Sequence, residues 1–257
     1  MAQIFSRPPF IIHHYDSLGS TNDHLKHLVD APEFTCVIAD EQTAGRGRRT
    51  RTWLSPPGDG LYLSILLRPA WPSRKIPLLS LMASIVVAET VARYGLAGLD
   101  IKWPNDVLAN ERKLSGILVE GASVGTEAPR IVIGIGVNLN HRGFPPELGG
   151  EATSLAVECG RPVEPAEFRD QLLVIFAEWY EAARRQGEQL IVRRWQELSS
   201  YACGKPVTVT LDDEQIIGET AGLTDTGALL VRAREGELRT ILDGEVSRLR
   251  RSAEPEH

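Results

Sequence analysis

The feature that most constrains the fold is a change of pattern near Tyr201. From this point to about residue 250, short apolar runs alternate with turn residues such as Asp225-Thr226-Gly227 and Arg234-Glu235-Gly236. Short runs rich in β-branched residues, separated by glycine and aspartate, are typical of strands joined by tight turns. The segment therefore predicts a small barrel of four or five strands.

The residues before Tyr201 mix strand and helix patterns. β-branched runs such as Thr35–Ala39 and Arg130–Asn140 predict strands. Apolar side chains recur at three- and four-residue steps over Pro165–Gln186, which predicts a helix with one face in the core. We expect an α+β domain over residues 1–200, a small β-barrel over 201–250 and a tail over 251–257.

Composition restricts the class of protein. The net charge is −6 and the pI is about 5.6, so a general affinity for nucleic acid is not favoured. The cysteines are scattered, without metal-ligand spacing, as in a protein of a reducing compartment. The start of the chain does not resemble a signal peptide, and the apolar tract Ile76–Val91 is interrupted by polar residues and too short for a membrane span. These features predict a soluble cytoplasmic protein.

One polar segment stands out, Thr43–Trp53, which we call the Gly/Arg loop. It places Arg46, Arg48, Arg49 and Arg51 around two glycines. Glycine lets backbone N–H groups turn toward an anion, and guanidinium groups bind carboxylate or phosphate in a bidentate manner. Because like charges repel, we expect the loop to be mobile until an anion orders it. A solvated loop that binds nothing specific is the alternative.

A second polar segment, Lys102–Val107, has the sequence KWPNDV. Lysine is scarce in this chain, and we expect Lys102 and Lys113 to lie on adjacent strands of one hairpin, from which both could reach one ligand. The amide of Asn105 suits a purine edge, and the carboxylate of Asp106 suits a metal-bound phosphate. A turn anchored by Trp103 is the structural alternative.

Glycines in two predicted strands suggest a site for a flat ligand. A side chain at Gly116 would block close approach to its strand. In GIGVNLN, Gly134, Gly136 and Asn138 share one face of a strand. This pattern is not the dinucleotide fingerprint, and the chain has no GxxxxGK[ST] motif, so a bound ATP would be held in another way.

The motifs together are similar to those of one family, the biotin protein ligases, also called biotin–[acetyl-CoA-carboxylase] ligases. The resemblance spans roughly Tyr15 to Arg250 and includes STN, EQTAGRGRRTRTW, KWPNDV, KLSGILVEG, IGIGVNLN and EATSL, in the family's order and spacing. It implies a catalytic α+β domain, a mixed β-sheet flanked by helices as in class II synthetases, followed by an SH3-like β-barrel. That division agrees with the pattern change near Tyr201.

The resemblance also implies an activity. Family members activate biotin with ATP, with Mg²⁺ as counter-ion, and form biotinyl-5′-AMP and pyrophosphate. Biotin is then transferred to one lysine of the biotin carboxyl carrier domain of a carboxylase. The implied partners are biotin, ATP and the carrier, with no DNA and no membrane, and a homodimer through a sheet edge is plausible. The residues before Ser20 are too few for the DNA-binding winged helix of the repressor members.

Site residues are carried over by motif. The biotin site would comprise the residues that hold its ureido ring, its ring face and its carboxylate: Ser20, Thr21, Gln42, Gly45, Arg46, Arg48, Lys113 and Gly116. The nucleotide would be bound by a second, overlapping set: Arg48, Arg51, Trp53, Lys102, Asn105 and Asn138. Asp106 would bind Mg²⁺ through the phosphates. Arg48 and Lys113 would be the catalytic residues, acting electrostatically on two anionic substrates.

Two alternative functions remain, and the sequence departs from the family's motifs at one position. A lipoate or octanoate protein ligase would share the fold and the acyl-adenylate chemistry, although those relatives lack this arginine-rich loop. A nonenzymatic nucleic-acid binder would use the arginines and the barrel, and the acidic balance argues against it. The departure is Thr50, which stands where many family members carry glycine, so the loop is expected to be stiffer than usual.

Overall fold

The fold is described from a computed structural model, which covers residues 3–122, 129–148, 150–212 and 214–248. The predicted tail 251–257 lies outside these residues. An eight-stranded mixed sheet, in the order β1-β2-β3-β4-β8-β7-β6-β5, forms the larger part. Its strands are β1 (Gln3–Arg7), β2 (Phe10–Leu18), β3 (Thr35–Gln42), β4 (Gly60–Leu67), β5 (Leu99–Lys102), β6 (Asp106–Ala109), β7 (Arg112–Gly121) and β8 (Ile131–Asn138).

Five α-helices accompany the sheet in the described residues. They are α1 (Thr21–His27), α2 (Leu78–Ala92), α3 (Leu155–Cys159), α4 (Pro165–Gln186) and α5 (Gln189–Leu198). Ser20 caps α1, as its sequence predicts, and Pro165 begins α4 at the residue expected from the pattern. The predicted α+β fold class is therefore confirmed for this domain.

The alternation of side chains across the sheet separates the core from the candidate site. Ile131, Ile133 and Ile135 of β8 point to one face, where α2, α4 and α5 bury them in the main core. Gly134 and Gly136 lie between them and point to the opposite face. On that face a smaller apolar cluster joins α1 to the sheet. The heavily buried face holds the strands in register, which leaves the glycine face free to line a cavity.

A second, five-stranded antiparallel sheet forms the C-terminal part. Its order is β12-β11-β10-β9-β13, with β9 (Cys203–Thr210), β10 (Gln215–Leu223), β11 (Leu229–Ala233), β12 (Leu238–Ile241) and β13 (Glu245–Arg248). It packs on the larger domain through Gly227, which contacts Leu78 and Leu81 and accepts a hydrogen bond from Trp103 Nε1 at 3.0 Å. The small all-β domain predicted from the turn pattern is confirmed.

Three sequence-based expectations differ from the structure. Lys102 and Lys113 do not lie on adjacent strands, because β6 is inserted between β5 and β7. The sequence pattern predicts a helix after Ser20 whose apolar side carries Leu25, Leu28 and Val29, but α1 ends at His27 and the side chain of Val29 is 56% exposed. The strand β1 was not predicted, because its polar residues at a sheet edge lack the apolar alternation of a half-buried strand.

One helical stretch among the described residues, Ser73–Ala92, is long and apolar enough to cross a membrane by length and composition. The sequence-based judgement that this tract is too short and too polar is therefore not supported. However, most residues of this stretch are buried inside the protein. The sheet and neighbouring helices therefore already cover most of its apolar surface.

Candidate active site

A cavity of about 1570 Å³ opens on the glycine face of the large sheet. The sheet forms its floor, the Gly/Arg loop forms its roof, and the start of β13 forms part of its wall. Most of the predicted site residues line it: Ser20, Thr21, Gln42, Arg46, Arg48, Arg51, Trp53, Lys102, Asn105, Asp106, Lys113, Gly116 and Asn138. Residues more than 100 positions apart in the chain thus meet at one cavity.

The floor is a row of directly paired residues across neighbouring strands. Lys102 of β5 pairs with Asp106 of β6, Asp106 pairs with Gly116 of β7, and Gly116 pairs with Gly136 of β8. Directly opposed residues of antiparallel strands place their side chains on the same face. This pairing therefore places the Lys102 ammonium, the Asp106 carboxylate and two glycines in one row across the sheet.

The two floor glycines make room for an aromatic ring. A Cβ placed on Gly136 would lie 2.5 Å from the Trp53 ring, and one on Gly116 would lie 2.9 Å from it. Trp53 thus packs flat over the strands, and Lys113 Nζ lies 5.5 Å from the centre of its ring. The sequence predicted close approach of a flat ligand to Gly116; in this structure the Trp53 side chain occupies that position, and the ligand contact remains a prediction.

Hydrogen bonds order the polar end of the cavity. The backbone N–H and the hydroxyl of Thr21 donate to Gln42 Oε1 at 2.9 and 3.0 Å. Ser64 Oγ lies 2.8 Å from the Thr21 hydroxyl oxygen, and Gln42 Nε2 donates to Ser55 at 3.0 Å. Gln42 is thereby fixed in one orientation. The Ser20 hydroxyl accepts from the N–H of Asp23 at 3.4 Å as the cap of α1.

The lysines converge on a carboxylate. Lys113 Nζ lies 2.7 Å from one oxygen of Asp106, and Lys102 Nζ lies 3.4 Å from the other. The Asp106 side chain is 13% exposed, so this cluster is shielded from solvent and its charges interact strongly. The convergence expected for the two lysines is observed, although Asp106 comes from a strand between them. No group of three or more His, Cys, Asp or Glu in the described residues could hold a metal by itself.

Two asparagines complete the wall near the lysines. Asn105 Nδ2 donates to the carbonyl of Ile117 at 2.8 Å, and Asn138 Nδ2 donates to the carbonyl of Thr153 at 3.0 Å. Each amide is thus held by a backbone acceptor, which directs its other polar atom. Asn138 is buried, at the end of β8 next to the floor glycines.

Every arginine of the Gly/Arg loop has a carboxylate partner. Arg46 bonds Asp23 at 2.6 Å and Glu120 at 3.0 Å, at the α1 end of the cavity. The others reach the C-terminal sheet in three pairs, Arg48 with Asp243, Arg51 with Glu245 and Arg49 with Asp212. Acidic residues far away in sequence therefore offset the charges of the loop, so the repulsion assumed in the sequence analysis is compensated in this structure, and the mobility of the loop remains a prediction.

Burial and ion pairing shift the pKa values of the loop arginines in opposite directions. Burial, with the neighbouring charge of Arg49, lowers the pKa of Arg48. The hydrogen bond that Arg51 donates to Glu245 raises the pKa of Arg51, and the same bond lowers the pKa of Glu245. Arginine stays protonated at neutral pH in either case. Both arginines therefore remain available as fixed cations at the cavity.

The turn of the loop is strained at Thr50. Arg49 has φ 51° and Thr50 has φ 62°, both in the left-handed region. A β-branched residue adopts this conformation rarely. Hydrogen bonds close the turn, from Gly47 N to Arg51 O at 2.7 Å and from Trp53 N to Gly45 O at 2.9 Å. A Cβ on Gly45 would lie 2.5 Å from the carbonyl of Trp53, so this position requires glycine.

Several site residues were not anticipated from the sequence. Asn22 bonds Glu120 at 2.8 Å and fills the space above Gly134, where a Cβ would lie 2.4 Å from it. Ser64, which donates to Asn22 at 2.6 Å, could have been noticed as a polar residue inside an apolar strand. Asp243 and Glu245 carry no sequence signal, because surface turns are usually acidic for solubility alone.

The fold and the cavity together define a class of protein: one that binds an elongated anionic small molecule between a glycine-floored mixed sheet and an arginine-rich loop. Comparison with known proteins identifies the family. Residues 16–138 match the family described as biotin/lipoate A/B protein ligase, and residues 202–249 match the family described as biotin protein ligase C terminal domain.

Relatives and solved structures agree with these matches. The bifunctional ligase/repressor BirA of Bacillus subtilis is 37% identical over 230 residues, which cover 87% of this chain and 70% of that protein. The biotin–[acetyl-CoA-carboxylase] ligase of Paracoccus denitrificans is 34% identical over 78% of this chain and 85% of its own. The structure of a biotin protein ligase from Aquifex aeolicus in complex with biotin and ATP superposes with a TM-score of 0.81, at 32% identity, over 94% of this chain and 99% of the other.

This chain belongs to the biotin protein ligase family. The resemblance inferred from the sequence motifs is thereby confirmed, together with the fold class it implied. The assignment of individual residues to biotin, nucleotide and metal remains a prediction.

Proposed function

We propose that this protein is a biotin–[acetyl-CoA-carboxylase] ligase. It activates biotin with ATP to biotinyl-5′-AMP and transfers biotin to a lysine of a biotin carboxyl carrier domain. The observation that carries the proposal is that Lys113, from the rigid floor, and Arg48, from the roof, line the same cavity. Its relatives are named as biotin ligases, which favours biotin over the lipoate alternative.

The hydrogen-bonded end of the cavity suits the ureido ring of biotin. Ser20, Thr21 and Gln42 place hydroxyl and amide groups there, and Thr21 and Gln42 are held by each other. Preorganised polar groups bind such a ring without first losing rotamer freedom. The thioether ring and the aliphatic chain would then lie along the strand at Gly116, in the space that the Trp53 ring occupies in this structure, so the ring would have to move when biotin binds.

The first step joins two anions, a carboxylate and an α-phosphate, so its main barrier is charge repulsion. Lys113 and Arg48 cancel that repulsion with charges that are already in place, which is electrostatic catalysis without a covalent enzyme intermediate. Arg46 and the N–H of Gly45 would support the carboxylate from the same loop. In this structure the Arg46 guanidinium already bonds Asp23 and Glu120, which favours an anchoring role for its side chain.

The nucleotide would lie toward β5, β6 and the end of β8. Asn138 and Asn105 offer amide oxygens to the adenine amino group, and Lys102 and Arg51 provide charge for the phosphates. Trp53 would cover the junction of the two substrates.

Mg²⁺ fits this site as a metal held mainly by the triphosphate. Mg²⁺ is commonly bound by one or two carboxylates together with substrate phosphates, and Asp106 provides one carboxylate beside the lysines. The ion would supply charge neutralisation on the phosphates when it is bound. Asp106, Lys102 and Lys113 would orient the metal and the phosphates from the protein's side of the site.

The second step requires protection of a reactive mixed anhydride. The Gly/Arg loop covers the cavity, which excludes water until the acceptor lysine enters.

We also propose a cytoplasmic location, on the basis of the scattered cysteines, which suit a reducing compartment. The acidic net charge of −6 argues against a general affinity for DNA. A homodimer would use an open edge of the sheet, β1 or β5 in the described part of the chain; sedimentation analysis would test it.

The decisive experiment is incubation with biotin, MgATP and a purified carboxylase carrier domain, followed by intact mass measurement. We expect one biotinyl group on one lysine, no transfer when ATP is omitted, and loss of transfer when Mg²⁺ is chelated. A parallel reaction with lipoate and a lipoyl carrier domain separates the rival ligase. Transfer of lipoate without transfer of biotin would contradict the proposal.

A further inference from the structure

A network of hydrogen bonds, which we call the buried network, lies behind the polar end of the cavity. It connects Glu120 of β7 through Asn22 of α1 and Ser64 of β4 to Thr21 and Gln42. Asn22 Nδ2 donates to Glu120 Oε2 at 2.8 Å, and Asn22 Oδ1 accepts from Ser64 at 2.6 Å. Ser64 is fully buried and does not line the cavity, so it can influence a ligand only through its neighbours.

Glu120 fixes the orientation of the Asn22 amide. Carboxylates and backbone carbonyls only accept hydrogen bonds. Asn22 Nδ2 faces both kinds of group, Glu120 at 2.8 Å and the carbonyl of Leu118 at 3.3 Å, so the amide oxygen must face Ser64. Burial alone would raise the pKa of Glu120, but the hydrogen bonds that Asn22 and Lys26 donate lower it below its ordinary value. The carboxylate is therefore ionised at neutral pH.

A glycine of the sheet gives the Asn22 amide its place. Gly134 of β8 pairs directly with Ser64 of β4, and a Cβ on Gly134 would lie only 2.4 Å from Asn22 Oδ1. The bare backbone thus allows the amide to lie on the sheet beside the serine. The contact between the two polar groups is set by packing as well as by hydrogen bonding.

The buried network contains fewer protons than contacts. Three contacts between oxygen atoms follow one another, Asn22 to Ser64 at 2.6 Å, Ser64 to Thr21 at 2.8 Å and Thr21 to Gln42 at 3.0 Å. Gln42 presents its oxygen, because it also accepts from the N–H of Thr21 at 2.9 Å. The amide oxygens carry no proton and each hydroxyl carries one, so two protons serve three contacts. One contact is left with lone pairs on both sides, which is unfavourable in a buried site.

We propose that Glu120, Asn22 and Ser64 are positioning residues that make the polar end of the cavity an acceptor of hydrogen bonds, so that the site selects a ligand ring that carries an N–H group. The ligand supplies the missing donor. When its N–H donates to Gln42 Oε1, it replaces the Thr21 hydroxyl there, and the Thr21 proton turns to Ser64. The Ser64 proton stays with Asn22, whose orientation Glu120 has set.

This inference rests on the proposed function, because the cyclic urea of biotin carries two N–H groups. The dithiolane ring of lipoate carries none. A site built to bond an N–H discriminates strongly against a ligand that lacks one, since its buried polar groups are then left unpaired. The buried network therefore contributes to the choice between the two vitamins.

The test is calorimetric titration of biotin into the full-length protein and its variants, without ATP. Ser64→Ala removes the acceptor to which the Thr21 proton turns, so we expect biotin to bind about tenfold more weakly. Glu120→Gln offers an N–H to Asn22, which allows the amide to turn over and donate to Ser64. The Ser64 proton then serves Thr21 and the network is complete without a ligand, so we again expect about a tenfold loss of affinity.

The two substitutions act on one network, so their effects should not add. The double variant Ser64→Ala/Glu120→Gln should bind biotin about tenfold more weakly than the wild type, whereas independent effects would multiply to about a hundredfold. In turnover assays of Ser64→Ala, the KM for biotin should rise while kcat and the KM for ATP stay within a factor of two. A general loss of structure would not produce this separation.

The matched controls are Ser84→Ala and Glu89→Gln. Ser84 is a buried serine of α2 whose hydroxyl donates to the carbonyl of Ser80 at 2.9 Å. Glu89 is a partly buried carboxylate that accepts from Trp179 at 2.8 Å and Arg194 at 3.0 Å. Neither residue lines the cavity, and we expect both variants to bind biotin as the wild type does.

The proposal is overturned if Ser64→Ala or Glu120→Gln, folded at the temperature of the titration, binds biotin within a factor of two of the wild-type affinity. It is also overturned if the double variant shows the full product of the single effects. If one single variant does not fold, the other decides by the same criterion. A wild type that binds no biotin would instead contradict the proposed function, so the two failures can be distinguished.

Discussion

The floor and the roof of the cavity are held by opposite kinds of interaction. The floor lies on β7 and β8, which are interior strands of the large sheet, paired residue by residue and backed by the buried isoleucines of the main core. The roof is the Gly/Arg loop, held largely by partly exposed ion pairs and a strained turn. A cation is present on each, Lys113 on the floor and Arg48 on the roof.

This difference assigns different tasks to chemically similar groups. A charge on a rigid strand costs no reorganisation when the reaction occurs, so the floor is suited to lowering the barrier. A charge on a loop that can open is suited to admitting and retaining a ligand. Substitutions in the floor should therefore strongly alter the rate of adenylate formation and the affinity for ligand. Substitutions in the roof should alter the time that a ligand stays bound more than the rate of reaction.

The largest effect is expected for Lys113→Ala in the floor. Loss of a fixed cation beside the reacting groups should lower the rate of adenylate formation by about 10²–10³-fold. Pyrophosphate release measures this rate. Arg112→Ala is the matched control, because Arg112, the neighbour of Lys113 on the same strand, bonds Glu158 at 2.6 Å and does not line the cavity. A near-wild-type rate in Lys113→Ala would place the lysine outside the reaction.

A smaller but still large effect is expected for Gly136→Ala. The added Cβ would lie 2.5 Å from the Trp53 ring, so the ring must leave the floor. Overpacking of this kind costs about 1–3 kcal/mol in the free energy of unfolding, which urea titration measures. In Gly121→Ala the new Cβ meets nothing within 4 Å on the same sheet, and the free energy of unfolding should be unchanged.

Arg48→Gly tests the roof. We expect the fold to persist and adenylate to escape about tenfold faster, because the loop loses its bond to the C-terminal sheet. Diffuse biotin labelling of exposed lysines on an unrelated protein would measure the escape. The ion pairs of Arg49 are longer, at 3.3 and 3.5 Å, so Arg49→Gly should release adenylate more slowly than Arg48→Gly. Equal retention by Arg48→Gly and the wild type would argue against the roof as a barrier.

The smallest effect is expected for Thr50→Gly. Glycine relieves a left-handed conformation that costs other residues about 1–2 kcal/mol, but it also loses about 0.5–1 kcal/mol in chain entropy. The free energy of unfolding, from urea titration, should therefore rise by only about 0.5 kcal/mol. Thr50→Ala keeps the left-handed strain, so its free energy of unfolding should not increase. A clear loss of stability in Thr50→Gly would mean that the threonine side chain itself holds the turn.

Much of the architecture could be predicted because its signals are local. The helix Pro165–Gln186 was predicted to the residue, since a long apolar stripe and a terminal proline are both readable within the segment. The shared face of Gly134, Gly136 and Asn138 followed from the period of a strand alone. Motif resemblance added the family, which the comparisons confirm.

Predictions that depended on which segments meet were less successful. The two lysines were placed on adjacent strands although the sequence also indicates a short strand between them. The sequence does not show that this strand, Asp106–Ala109, pairs with both of its neighbours. The loop was expected to be mobile because its own residues carry only positive charge. Its carboxylate partners, Asp243 and Glu245, lie 195 and 194 residues away from Arg48 and Arg51.

The sequence by itself determined the local elements, the positively charged loop and the glycine positions of the floor, because hydrophobic period, glycine geometry and charge are properties of short segments. The tertiary structure decided which strands are neighbours, which ring covers the glycines and which carboxylates hold the arginines. Those choices come from packing and from electrostatics between distant parts of the chain, which act only once the core has brought the two domains together.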